Sequence, residues 1–210
     1  MKKKVLWVCL FLFPICGYTQ ASRIVLQHFL ERMTAGPVEM SFTFTSDNVP
    51  KKVHDLQTGV LLYSGEQYHL QLGELDIYCD GISKWIYNGA VEEVTVLPAE
   101  EADDMTDNPL KYIMHNEDNF RYRPVKHLTQ KGKKIISVDL IPKSKDAVYT
   151  MVNLQVEEKT FLPVQLTYKM KDGQRYIIDV NRIDVDIAVK SFSFSFPAQL
   201  YSGITINDLR

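Results

Sequence analysis

The chain has 210 residues, of which 45% are hydrophobic and 24% charged, a globular mixture that excludes a disordered tail and a fibrous protein. Length alone allows one domain or at most two. Lys and Arg number 24 against 26 Asp and Glu, a formal charge of −2, so no basic excess points to a nucleic-acid partner.

The first 21 residues read as a secretory leader. Lys2, Lys3 and Lys4 precede an apolar run from Val5 to Ile15, and Thr19-Gln20-Ala21 offers a cleavage site. As a retained anchor the run is too short, since crossing a bilayer takes about 20 apolar residues. Removal leaves 21 basic against 26 acidic residues, a net charge of −5. Residues 22–210 then form a single domain, exported to the periplasm. Cys9 and Cys16 leave with the leader, so Cys79 has no disulfide partner. Cys16 as a lipid-modified terminus is disfavoured by the bulky Ile15 before it.

After the leader, Ile24, Val25, Leu26, Phe29, Leu30 and Met33 fall near helical spacing, with Ser22 a candidate N-cap and Thr34 to Pro37 the stop. Period-two alternation follows in Val38, Met40, Phe42 and Phe44, then in Tyr68 to Leu72, Leu75 to Cys79, Trp85 to Tyr87 and Val94 to Val96. The acidic cluster Glu100, Glu101, Asp103, Asp104 and Asp107 suits a solvated loop before a short helix opened by Asn108-Pro109-Leu110 and running to Met114. Alternation resumes in Ile136 to Leu140, Val152 to Val156, Val164 to Tyr168, Tyr176 to Val180 and Phe192 to Phe196. Turn signals such as Ser64-Gly65, Gly73-Glu74, Asp80-Gly81 and Lys171-Asp172-Gly173 separate these runs, which makes successive strands antiparallel neighbours. About eleven strands and two helices imply a mainly β fold with one large, strongly curved antiparallel sheet. Two helices cannot cover its whole apolar face, so the sheet either packs on itself as a sandwich or wraps a cavity.

Chemistry finds little support. His28, His54, His69, His115 and His127 are scattered singly, without metal-ligand spacing. Cys79 lacks a base at motif spacing, and no nucleophile elbow, phosphate loop or calcium loop is present. No catalytic residue, metal or cofactor is expected. Lys131, Lys133 and Lys134 surround Gly132 at a hairpin tip, a solvated cluster that could also touch an acidic partner or anionic headgroups.

One stretch is more specific. Cys79-Asp80-Gly81-Ile82-Ser83-Lys84-Trp85-Ile86-Tyr87-Asn88, followed by Glu92-Glu93-Val94-Thr95-Val96, resembles the hairpin signature of the periplasmic lipoprotein carriers of the LolA-like family. Gly59 to Leu61, Asn108-Pro109-Leu110, Val138 to Lys143, Phe192 to Pro197 and the closing Ile206-Asn207-Asp208-Leu209-Arg210 are similar in the same order. The resemblance implies a half-open antiparallel β-barrel with helices as a lid over an apolar cavity that holds lipoprotein acyl chains. It also implies a monomeric carrier that takes cargo from an inner-membrane transporter to an outer-membrane receptor. Met40, Phe42, Phe44, Leu70, Ile77, Trp85, Val94 and Val96 are the expected cavity lining. The family's lid-latching Arg has no counterpart at Ser64-Gly65-Glu66-Gln67. Two other readings stand beside this one: a lipocalin-like carrier of free lipid in a closed barrel, and an envelope protein with a filled core that binds partners through an exposed apolar patch.

Overall fold

A computed structural model describes residues 17–48, 53–100, 110–114, 117–189, 194–200 and 203–210. Helix α1 (Gly17–Thr34) leads into a meander of β1 (Val38–Asn48), β2 (Val53–Ser64), β3 (Gln67–Leu72), β4 (Leu75–Cys79), β5 (Ser83–Asn88) and β6 (Glu93–Pro98). After the short α2 (Lys111–Met114) come β7 (Phe120–Tyr122), β8 (Lys126–Gln130), β9 (Lys133–Pro142), β10 (Tyr149–Glu157), β11 (Pro163–Met170), β12 (Arg175–Val185) and β13 (Thr205–Asp208). All thirteen strands join one curled sheet in the order β13-β6-β5-β4-β3-β2-β1-β12-β11-β10-β9, with β7 and β8 both on the far edge of β9. The two ends of this path do not pair, so the sheet is open.

Cross-strand partners share a face of a sheet, and their register draws out the apolar side. One row runs Met40–Leu61–Leu70–Ile77–Ile86 across β1 to β5. A second runs Phe44–Ile178–Leu166–Leu154–Val138, and a third Tyr176–Tyr168–Val152–Leu140–Tyr122. A bulge in β12 keeps the rows in phase. Met40 pairs with Ile183 but Phe42 with Val180, so Asn181 is the extra residue and both apolar partners stay inward. The opposite face of the second half is polar: Ser137, Gln155, Gln165, Asp179 and Thr43 form one row. Its amides are linked, Gln155 to Gln165 at 3.1 Å and Gln165 to Asp179 at 2.7 Å.

Four expectations are corrected. Ser22 does not cap α1, which begins at Gly17; Ser22 lies inside the helix, fully buried, and the expected cleavage site falls in the first turns. The described part of the Phe192 to Phe196 alternation is not strand: residues 192 and 193 lie outside the described residues, Phe194 is in a 3₁₀ turn and Phe196 in irregular chain. The sheet is not wholly antiparallel, because β13 pairs with β6 in parallel. β12 and β13 lie on opposite sides of the first meander, and parallel strands need a long crossover; the chain after β12 provides it. Finally, β7, β8 and β13 carry no readable alternation and were not expected. The start of the second helix, including Pro109, lies outside the described residues.

Candidate functional site: the inner face and its covering helix

Helix α1 presents Val25, Leu26, Phe29 and Met33 to the sheet, all 0 to 6% exposed, while Arg23, His28, Glu31 and Arg32 stay in solvent. It is pinned near both ends. The Ser22 hydroxyl donates to the Arg123 carbonyl at 2.5 Å, with Arg23 paired to Asp118 at 2.8 Å beside it. At the other end the Tyr63 hydroxyl donates to the Met33 carbonyl, one of the acceptors that a helix C-terminus leaves without an internal donor. Burial pushes the Tyr63 phenol well above its usual range, so it remains a donor. Tyr63 sits on β2 and Arg123 just after β7, so the two pins tie α1 to both halves of the sheet.

The eight residues expected to line one cavity divide between two faces. Met40, Phe42, Phe44, Leu70 and Ile77 are inward, 0 to 4% exposed, and belong to one apolar cluster with Leu26, Phe29 and Met33 of α1. Trp85, Val94 and Val96 are outward. The reason is register: Ile77 pairs with Ile86 and Cys79 with Lys84, so the inner parity switches from odd to even across the Asp80-Gly81-Ile82 turn. Trp85 then pairs with Tyr78 and Val96, and Tyr87 with Val94, all on the other side. That outer cluster has its own cover. The Phe196 ring lies 5.8 Å from Tyr78 and 6.4 Å from Tyr87, and Tyr78 stacks on His69 at 4.0 Å. His69 in turn meets Asp76 at 2.6 Å.

The same switch turns Lys84 inward, where it is fully buried. An ammonium held there must be paired, because an unpaired buried charge costs several kcal/mol, and Lys84 does have a polar interaction. Sequence alternation missed it by placing Trp85 inside.

The inner side chains are closed to water, since Met40, Leu61, Leu70, Leu154 and Leu166 are all 0% exposed. A cleft of about 350 Å³, lined by Asn119, Pro142, Ala147, Val148 and Tyr149, opens at the rim. Tyr149 there is the middle ring of three aromatics, 6.4 Å from Phe120 and 6.2 Å from Tyr168. That volume lies at the small end of ligand pockets. Among the described residues no group of His, Cys, Asp and Glu is arranged to hold a metal ion, and no helix is long and apolar enough to cross a membrane.

A protein of Shewanella sediminis named outer-membrane lipoprotein carrier protein is 25% identical over 201 residues, which is 93% of this chain and 90% of that protein. Its namesake in Shewanella frigidimarina is 26% identical over 176 residues, 80% of this chain and 78% of that one. Among solved structures, an uncharacterized conserved protein from Thermus thermophilus superposes with a TM-score of 0.60 at 8% identity, covering 90% of this chain and 99% of its own, which shows the shared fold. The model of the family described as outer membrane lipoprotein carrier protein LolA matches residues 73–197. The match takes in the β4–β5 hairpin, the basic edge strands and the whole second half of the sheet, and with it the chain belongs to the LolA family.

Proposed function

We propose that this protein is a periplasmic carrier that shields lipoprotein acyl chains and moves them from the inner to the outer membrane, after a leader ending near Ala21 is removed. The observation that carries the reading is the continuous apolar inner face of an open sheet, covered by the amphipathic helix α1, which is pinned near each end. Acyl chains lose about 0.8 kcal/mol per CH₂ on entering water, so transit needs such a face. Met40, Phe42, Phe44, Leu70 and Ile77 are its proposed lining. In the closed form their mutual packing stands in for cargo; loading exchanges these contacts for acyl contacts when α1 swings away. Trading apolar contacts for apolar contacts keeps the two states close in free energy, which allows release as well as capture. Ser22 and Tyr63 take the part of the missing Arg latch. The donor of cargo would be an inner-membrane transporter and the acceptor an outer-membrane receptor.

The test is release of a lipoprotein from spheroplasts by the purified protein, with native mass spectrometry of the product. A one-to-one complex with acylated cargo supports the reading. Phe42→Asp should abolish release, because it places a carboxylate on the inner face. A folded wild-type protein that releases nothing and binds no acylated peptide overturns it.

A further inference from the structure

Residues 126–134 form a ribbon that stands beyond the body of the protein. Every residue from Lys126 to Lys134 is exposed, on both faces of the β8–β9 hairpin, whereas Ile135 and Ile136, next along β9, are 1% and 7% exposed. The tip turns at Lys131 and Gly132, with φ of 49° and 78°. From Arg121 to Lys134 the sequence holds Arg121, Arg123, Lys126, Lys131, Lys133 and Lys134 without one Asp or Glu, in a chain whose net charge is −2.

Neighbouring carboxylates answer only part of this charge. Asp139 serves both Lys126 at 3.1 Å and Arg123 at 4.0 Å, Glu157 meets Lys133 at 3.5 Å, and Glu158 meets His127 at 3.3 Å. Arg121, Lys131 and Lys134 have no carboxylate partner among the described residues. The cations are strung along an edge and a tip instead of converging on a pocket, which fits an extended anionic surface better than a single bound anion. Leu128, 44% exposed, projects from the same ribbon. At a lipid surface an apolar side chain enters the interface while ammonium groups stay with the phosphates. The ribbon is also the free edge of the sheet, and its neighbour Arg123 holds Ser22 of α1.

We propose that the Arg121–Lys134 edge seats the protein on an anionic phospholipid surface, with the start of the covering helix beside the contact. The lipid contact rests on charge and exposure; its purpose, cargo exchange at the membrane, rests on the carrier reading.

The experiment is co-sedimentation of the full chain with vesicles of equimolar phosphatidylglycerol and phosphatidylcholine, and with phosphatidylcholine alone, at low and high salt. The expected result is binding to the anionic vesicles only, lost as salt screens it. Each cation near such a surface contributes about fivefold in partitioning, so Arg121→Gln/Lys131→Gln/Lys134→Gln should weaken binding about a hundredfold, while Lys169→Gln/Lys171→Gln/Arg182→Gln leaves most of it. Equal binding to both vesicle types, equal loss in both variants, or association with soluble polyglutamate but not with vesicles overturns the proposal. Binding of a fluorescent acylated peptide without vesicles is measured in parallel. The ribbon variant should keep it, and a wild type that binds vesicles but no acylated peptide would support the lipid contact while removing the carrier function.

Discussion

Gly59 tests the packing of the inner face most directly. It pairs with Phe42 across β1 and β2, and the Phe42 ring lies over it. A methyl group there would stand 2.5 Å from Phe42 Cζ, 2.8 Å from Cε2 and 3.0 Å from the Gln71 carbonyl oxygen. Ordinary contact begins near 3.4 Å, so in Gly59→Ala the ring must retreat by about an ångström. Phe42 is 1% exposed and part of the apolar cluster, so the retreat disturbs the side chains packed around it. Overpacking of this kind costs about 1–3 kcal/mol, a fall of about fivefold to a hundredfold in the folded-to-unfolded ratio. Phe42→Leu alone should cost about 1–2 kcal/mol through lost burial and a partial cavity. Combined, the two should cost less than their sum by about 1 kcal/mol, since the smaller side chain makes room. Relief is incomplete because the Gln71 carbonyl remains. Urea unfolding of the four proteins, with matched m-values, reads the cycle. Strict additivity, or a neutral Gly59→Ala, would refute the claim that Phe42 and Gly59 are locked together.

Three other changes probe the pins, the polar face and the split between faces. Tyr63→Phe should cost about 1–3 kcal/mol by orphaning the Met33 carbonyl, speed amide exchange in the last turn of α1 and speed uptake of an acylated probe; unchanged uptake would remove Tyr63 as a latch. Burial raises the Asp139 carboxyl, but hydrogen bonds from Asn153 and Lys126 and the charges of Lys126 and Arg123 outweigh it and hold the group below the usual carboxylate range. Its stabilisation is therefore present above the unfolded-state value near 3.8 and lost as pH falls through the depressed folded value. Asp139→Asn should thus cost about 1–2 kcal/mol at neutral pH and little in strong acid; a pH-independent loss would assign the effect to geometry alone. Val96→Asp should destabilise by several kcal/mol and loosen the Phe196 cover, yet in the folded fraction leave acylated-peptide affinity unchanged. A parallel loss of affinity would place Val96 on the cargo side after all.

Alternation made much of this sheet legible, because one face is apolar and the other polar in β1, β9 and β10. It failed where that contrast vanishes. β8 is exposed on both faces, so Lys126-His127-Leu128-Thr129-Gln130 carries no period. β2 places Leu56 and Val60 outward, 59% and 39% exposed, and Gln57 and Gly59 inward. Phe194 and Phe196 continue an alternation without being strand, and the Phe196 ring serves as a cover over Tyr78 and Tyr87. Five of the eight expected lining residues face inward together; the other three were lost to one turn. Alternation gives a face only relative to its own strand, and the pairing across each hairpin decides which parity continues.

The seam between β1 and β12 has a consequence for how the chain acquires its structure. β2 to β6 and β7 to β12 are local meanders whose hairpins can close soon after synthesis, but their strands are joined into one sheet where Val38 to Asp47 pair with Arg175 to Val185. Such distant pairing carries a large loop-closure cost before any contact repays it. Maturation should therefore be paced by this one zippering event, and until it completes both half-sheets offer a bare edge to whatever strand arrives first.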